Sequence, residues 1–296
     1  MSEIKLDGLG VALATPFKKD FSIDYEALEK LIEHVIEGGC DYLVVLGTTA
    51  ETPTLSHDEK DELSRFIREK NAARLPLVIG IGGNDTMKVV SDIKRRDLEG
   101  YSAILSVTPF YNKPSQEGLY QHYKAITEVS PLPLILYNVP GRTGVNLTAR
   151  TVLRLSEMSE KIIGVKEASG NITQSEEIIN NSQRGFKVIS GDDNLIYPLM
   201  QKGAVGVISV LANVFPKTAK QLVELCLSKH YNEAQSLQNQ LQPMVRYLFE
   251  DGNPGGAKAL LSRQGLMQNI LRLPLVPVRK ETEENLIKEA KKLQLI

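Results

Sequence analysis

Cysteine is scarce: Cys40 and Cys226 are the only two in 296 residues, far apart and outside any CxxC spacing. That excludes a disulfide framework and a thiolate zinc knuckle, and both read as core residues. Histidine is thin as well. His34, His57, His122 and His230 fall singly on predicted helices, with neither an HExxH nor a paired-ligand spacing, so no metal is expected. Charge of one sign is missing too: 35 basic and 36 acidic residues leave a formal net charge of −1. With no Lys/Arg stripe and no RNA-reading aromatic motif, nucleic acid is not an expected partner. No apolar run approaches the roughly 20 residues of a membrane span, and MSEIKLDGLG holds no signal-peptide core. A soluble, cytoplasmic protein is the expectation.

What is present is alternation. Short Val/Ile/Leu-rich runs stand at 10–16, 41–47, 76–82, 102–108, 133–138, 162–167, 186–191 and 204–210, each followed by a segment with helical spacing. Leu28, Leu31, Ile32 and Val35 recur at i, i+3, i+4, i+7, with Asp24 as N-cap and Gly38-Gly39 as the stop. Ser56 and Glu59 make a capping box, and Pro216 suits a first helical position before Ala219, Leu222, Val223 and Cys226. Eight strand-helix units predict an α/β fold, a (β/α)8 TIM barrel over 1–225. An open doubly wound sheet would bring a GxGxxG turn after its first strand, and ALATPFKKD offers none. Residues 226–296 read as extra helices packed on the barrel, broken by Gly and Pro at 251–256 and 273–278.

Barrel enzymes carry their chemistry at the C-terminal ends of the strands. Those ends here are Thr15-Pro16, Gly47-Thr48-Thr49, Thr108 to Tyr111, Tyr137-Asn138, Lys166-Glu167 and Gly191-Asp192. In IIGVKEASG, strand alternation puts Lys166 on the side of Gly164 and inside the barrel, with Ile163 and Val165 facing the helices. Burial there favours the free amine, which can attack a carbonyl carbon; the alternative is a lysine at the strand tip that reaches solvent or pairs with Glu167. The Thr48-Thr49 turn could hold a small carboxylate or be a turn with a hydroxyl cap. Tyr137 could pass a proton beside Lys166 or sit in the core. Arg142, in NVPGRTG, could grip a carboxylate or be a solvated loop residue, and Tyr111 could cover a site or a partner subunit or be simply exposed.

Taken together, GTTAET, TPFYNKPSQEGLYQHY, LYNVPGRTG, GVKEASGN and SGDD resemble, in order and spacing, the pyruvate-dependent class I aldolases of the dihydrodipicolinate synthase and N-acetylneuraminate lyase family. The similarity runs from GVALATPF to about NPGGAK. It implies that Lys166 forms a Schiff base with pyruvate, that Thr48 and Thr49 hold its carboxylate, and that Gly191 and Ile208 line the pocket by their carbonyls. Tyr137 would move protons, linked through Thr48 to a Tyr111 contributed by a neighbouring subunit. A dimer would then be the smallest catalytic unit and a tetramer the usual assembly. Arg142 matches the arginine that binds the carboxylate of L-aspartate 4-semialdehyde, and GTT stands where sialic acid lyases carry GSTGE. Both features imply the synthase branch, in the diaminopimelate route to lysine, with no metal or organic cofactor because the imine is itself the electron sink.

Some positions depart from the family pattern. Ala50 replaces the commoner Gly, Leu211 a frequent Thr, and GGAK a more apolar segment. At the positions of a lysine-binding regulatory pocket, His57 and Asn84 remain while Lys88, Lys60 and Phe110 stand for a glutamate, a histidine and a tyrosine. A lysine in place of that glutamate repels an inhibitor's ammonium, so weak or absent feedback by L-lysine is expected. Alternatives remain: an aldolase of sialic acid or 2-keto-3-deoxy sugar acids, and a non-catalytic barrel, which gives no reason to bury a lysine beside a tyrosine. A phosphate-binding isomerase or a pyridoxal enzyme would need a phosphate cup, and VISVLANVF has no glycine after the eighth strand.

Overall fold

The computed structural model describes residues 6–296. Eight parallel strands close into a barrel in chain order: β1 (Gly8–Ala12), β2 (Tyr42–Val45), β3 (Leu77–Gly80), β4 (Ala103–Val107), β5 (Leu134–Asn138), β6 (Ile162–Glu167), β7 (Lys187–Ser190) and β8 (Gly206–Ser209). The eight apolar runs of the sequence all become strands. Closure is made where β1 pairs with both β2 and β8. The (β/α)8 barrel expected from the alternation is the fold.

Period-2 alternation sorts the strand residues into two cores. Ala12, Tyr42, Val44, Val78, Leu105 and Ile135 fill the barrel interior. Val11, Leu43, Val45, Ile79, Val165 and Val207 face outward and pack with the helix stripe Leu28, Leu31, Ile32 and Val35. Each fully buried Leu, Ile or Val contributes roughly 1.5–3 kcal/mol. The caps read from sequence are in place. Asp24 accepts from the Ala27 N–H, Ser56 and Glu59 close a reciprocal box, Gly39 turns at φ 85°, and Pro216 opens the helix Pro216–Leu227. Cys40 and Cys226 are both buried.

Four details differ from the sequence reading. β1 starts at Gly8 and stops at Ala12, because the Ala14 N–H leaves the ladder to donate to Asn213 Oδ1 at 3.0 Å. Ile163 belongs to the barrel interior, not to the helix side. The cause is a bulge: Leu134 pairs with Ile162, but Ile135 pairs with Gly164, so one residue of β6 is extra. His230 lies outside a helix, immediately before Tyr231–Glu250. Finally, Gly255 and Gly256 begin the helix Gly255–Arg263 and do not break one. A Cβ on Gly256 would lie 2.5 Å from Leu248 O, so only glycine lets these two helices approach so closely. The last helix is Lys280–Lys292, packed against Tyr231–Glu250. Among the described residues no helix is long and apolar enough to cross a membrane.

Candidate active site

Tyr137 and Lys166 are register partners on β5 and β6, so both side chains leave neighbouring strands on the inner face at the barrel's mouth. Lys166 Nζ lies 4.4 Å from the Tyr137 ring centroid, and each residue is only 7% exposed. Glu167 is engaged elsewhere. Its carboxylate accepts from Asn138 Nδ2 at 3.2 and 3.0 Å, from Gln174 Nε2 at 3.0 Å and from the Ser169 N–H at 2.7 Å. These bonds tie the tips of β5 and β6 together and leave the Lys166 amine for the cavity. The pairing of Lys166 with Glu167 is thereby excluded.

After β2 the chain enters a 3-10 turn, Thr48–Ala50. Its internal bonds run from the Ala50 N–H to Gly47 O and from the Glu51 N–H to Thr48 O, so the Thr48 and Thr49 N–H groups lie outside its ladder, as at any helix start. Three bonds hold the turn from outside. Thr15 Oγ1 donates to Ala50 O at 2.9 Å, Thr52 Oγ1 to Gly47 O at 2.8 Å, and Asn253 Nδ2 to Thr49 Oγ1 at 3.0 Å. Across the mouth, Asp193 fixes the exit of β8. It accepts from Ser209 Oγ at 2.5 Å and from the Val210 and Leu211 N–H groups at 3.0 Å each. Burial pushes its carboxyl above the ordinary range, and these donors oppose that shift.

The space between is a cavity of about 260 Å³ lined by Thr48, Thr49, Tyr137, Arg142, Lys166 and Gly191, together with Val139, Ala168, Asp192, Asn194, Val210, Phe249 and Asn253. Six of the residues expected at the site therefore meet in one place. Gly191 is there because a Cβ would lie 2.6 Å from Ala168 Cβ and 3.1 Å from Lys166 Cε. Arg142 lies on the short helix Pro140–Thr143 that follows β5. Ile208, expected at the pocket by its carbonyl, packs its side chain in the barrel interior, and Val210, two residues on, lines the cavity where the Ile208 side chain does not. Nor does Tyr111, which is 87% exposed on the outside of the chain at φ 73°. A larger surface depression of about 570 Å³ lies between Lys94, Arg96, Leu98 and Pro131 and holds no comparable pairing of amine and hydroxyls, so chemistry and not size locates the site.

Asn253 and Phe249 were not legible in the sequence. They come from the C-terminal helical segment, and no local pattern says that it reaches the mouth. The regulatory positions fall elsewhere. His57 opens the helix His57–Asn71, Lys88 lies on Thr86–Arg95, Asn84 accepts at its carbonyl from Asn112 Nδ2, and Phe110 is exposed. Lys60 is held below its ordinary value by burial and then by the neighbouring Arg96, with Lys88 and Arg95 adding to the effect.

Residues 5–293 match the dihydrodipicolinate synthetase family. The chain is 52% identical to a 4-hydroxy-tetrahydrodipicolinate synthase of Parabacteroides distasonis over 295 residues, covering 100% of this chain and 99% of the relative. Among solved structures it is similar to a dihydrodipicolinate synthase from Acinetobacter baumannii complexed with pyruvate, at 40% identity and a TM-score of 0.95, covering 99% of this chain and 100% of that one. It is also similar to a monomeric dihydrodipicolinate synthase variant, at 38% identity and a TM-score of 0.95, with 98% and 97% covered. An amine buried beside a tyrosine, facing a hydroxyl-bearing turn at the mouth of an eight-stranded barrel, and sequence identity along the whole length lead to one assignment: the chain belongs to the dihydrodipicolinate synthetase family.

Proposed function

We propose that this chain is a 4-hydroxy-tetrahydrodipicolinate synthase that condenses pyruvate with L-aspartate 4-semialdehyde through a Schiff base on Lys166. The observation that carries this reading is the buried Lys166 side chain, its Nζ 4.4 Å from the Tyr137 ring centroid, lining one cavity with the Thr48-Thr49 turn. Lys166 Nζ, unprotonated, attacks C2 of pyruvate, and the carbinolamine loses water to give the iminium. A proton then leaves C3, the electron pair moves toward nitrogen, and the enamine forms. Its C3 adds to the aldehyde carbon, whose oxygen takes up a proton. The amine of the second substrate next attacks the iminium carbon, closing the ring as the C2–Nζ bond breaks and Lys166 is freed. The iminium nitrogen is the electron sink throughout, so no cofactor is assigned.

The other residues divide by what they can hold. The Thr48 and Thr49 N–H groups and hydroxyls take the pyruvate carboxylate. Tyr137 relays protons at Nζ. Arg142 grips the semialdehyde's carboxylate by parallel hydrogen bonds. Gly191 lines the pocket by its carbonyl, and the absence of a Cβ, which would lie 3.1 Å from Lys166 Cε, leaves room for the lysine side chain. Tyr111, fully displayed on a loop, is read as completing the relay in a second copy of the chain, so a dimer is the smallest catalytic unit and a pair of dimers the assembly. A soluble cytoplasmic enzyme of lysine biosynthesis follows from that role.

Treatment with pyruvate and borohydride, followed by peptide mass analysis, should leave a reduced adduct on Lys166. No adduct, or one on another lysine, would sink the proposal. Steady-state rates should favour the semialdehyde over sugar aldehydes. At the regulatory positions, the cations Lys60 and Lys88 disfavour an ammonium-bearing inhibitor. Millimolar L-lysine should leave the rate unchanged; a steep fall below 1 mM, an order-of-magnitude threshold of about 4 kcal/mol in binding, would overturn this.

A further inference from the structure

Behind the Thr48-Thr49 turn, on the side away from the cavity, lies an ion pair that the reaction does not use. Lys258 Nζ and Glu51 Oε1 are 2.5 Å apart, and both side chains are 0% exposed. Lys258 also donates to Ile270 O at 2.8 Å and lies 4.2 Å from the Phe17 ring centroid. The second oxygen, Glu51 Oε2, accepts from the Arg272 N–H at 2.9 Å. Burial pushes the Lys258 ammonium down to about 8 while Glu51 opposes that shift, so the lysine's charge depends on the carboxylate.

Two further observations say what the pair could be for. Glu51 joins the 3-10 turns Thr48–Ala50 and Thr52–Thr54 in a left-handed conformation, φ 54° and ψ 34°. A non-glycine residue keeps that backbone only where its surroundings over-determine it. Its N–H donates to Thr48 O at 3.1 Å, and Thr54 Oγ1 donates to its carbonyl at 2.9 Å. Secondly, Lys258 sits five residues beyond Asn253, which donates to Thr49 Oγ1. The C-terminal segment thus grips the turn at two points, once by a hydrogen bond inside the cavity and once by an ion pair behind it. A buried ion pair is a poor way to gain stability, since apolar residues of the same volume often do as well. What it does supply is a fixed mutual placement of two segments some two hundred residues apart in the chain.

We propose that Glu51 and Lys258 are a positioning pair that holds the Thr48-Thr49 turn at the distance from Lys166 that pyruvate requires, and so sets pyruvate binding without touching the substrate. This rests on the Schiff-base reading above. The test uses four full-length proteins: the parent, Lys258→Met, Glu51→Gln, and the double variant, which carries neither charge and leaves no ion buried alone. For each, the pyruvate concentration giving half-maximal borohydride trapping at Lys166 is measured, with the KM for both substrates and the melting temperature.

The expected result is a rise of about tenfold in the half-trapping concentration and in the pyruvate KM in every variant that folds, the scale on which small misplacements act. The semialdehyde KM stays at the parental value, and the double variant regains most of the melting temperature lost by the single ones without regaining pyruvate affinity. If the double variant recovers the parental pyruvate KM along with its stability, the pair is structural only and the proposal falls. It falls equally if the variants lose folded protein but trap pyruvate at parental concentrations. A parent that traps no pyruvate would sink the Schiff-base reading and this one together, whereas a parent that traps normally beside unmoved variants sinks the positioning pair alone.

Discussion

In the proposed reaction Lys166 is the nucleophile and Tyr137 the proton carrier, and the two roles separate by mutation. Tyr137→Phe keeps the ring that packs 4.4 Å from Nζ and removes only the hydroxyl. The loss expected is about 10²- to 10⁴-fold in kcat, the usual worth of a general acid–base group, with the melting temperature near the parental value. Equal loss of fold and activity would show that the phenol is a packing residue. His122 gives a different residue-scale effect. It is buried, Thr86 Oγ1 lies 2.8 Å from its Nδ1, and its Nε2 has no partner among the described residues. Burial pushes its imidazolium down to about 4 from an ordinary 6.5. Between those values the unfolded chain holds a proton that the folded one does not, so stability rises with pH and is lost on acidification from 6.5 through 4. The contribution is at most about 3 kcal/mol. Melting curves over that window should fall less steeply for His122→Asn than for the parent; parallel curves would reject the assignment.

At the scale of elements, the site is a matter of strand ends and how close they come. β6 and β7 meet at the mouth through Gly191, whose N–H donates to Glu167 O at 2.8 Å. A Cβ at Gly191 would lie 2.6 Å from Ala168 Cβ and 3.1 Å from Lys166 Cε, so one of these must shift. Gly191→Ala should therefore slow trapping of pyruvate at Lys166 by about tenfold or more, through a displaced nucleophile. An unchanged trapping rate would mean that the strand ends yield without moving Nζ. The inward aim of Lys166 was legible from alternation alone, because Gly164, Lys166 and the outward Val165 keep the period of two. Ile163 was not. Its direction is reversed by a bulge that exists only in the pairing of β6 with β5, and pairing is not written in either strand alone.

For the molecule as a whole, the question is whether one chain holds a complete site. Tyr111 stands 87% exposed on the outside, which is a poor place for a catalytic phenol unless another copy receives it. Complementation tests this. Lys166→Ala and Tyr111→Phe proteins, each nearly inactive, should regain about a quarter of parental activity when unfolded and refolded together, because half of randomly formed dimers are mixed and each holds one intact site. No recovery would place Tyr111 outside the relay. By itself the sequence determined the strand-helix alternation, the caps, and the set of groups at the strand ends. These follow from short-range periodicity and from residue types, which any single segment carries. Only the tertiary structure decided that Tyr137 lies opposite Lys166, that the Ile208 side chain packs in the barrel interior, and that Asn253 reaches the Thr48-Thr49 turn from the cavity and Lys258 from behind it. The physical reason is that a local pattern encodes which face of an element is apolar, whereas which faces meet is fixed by barrel closure and by contacts between segments as far apart as Thr49 and Asn253.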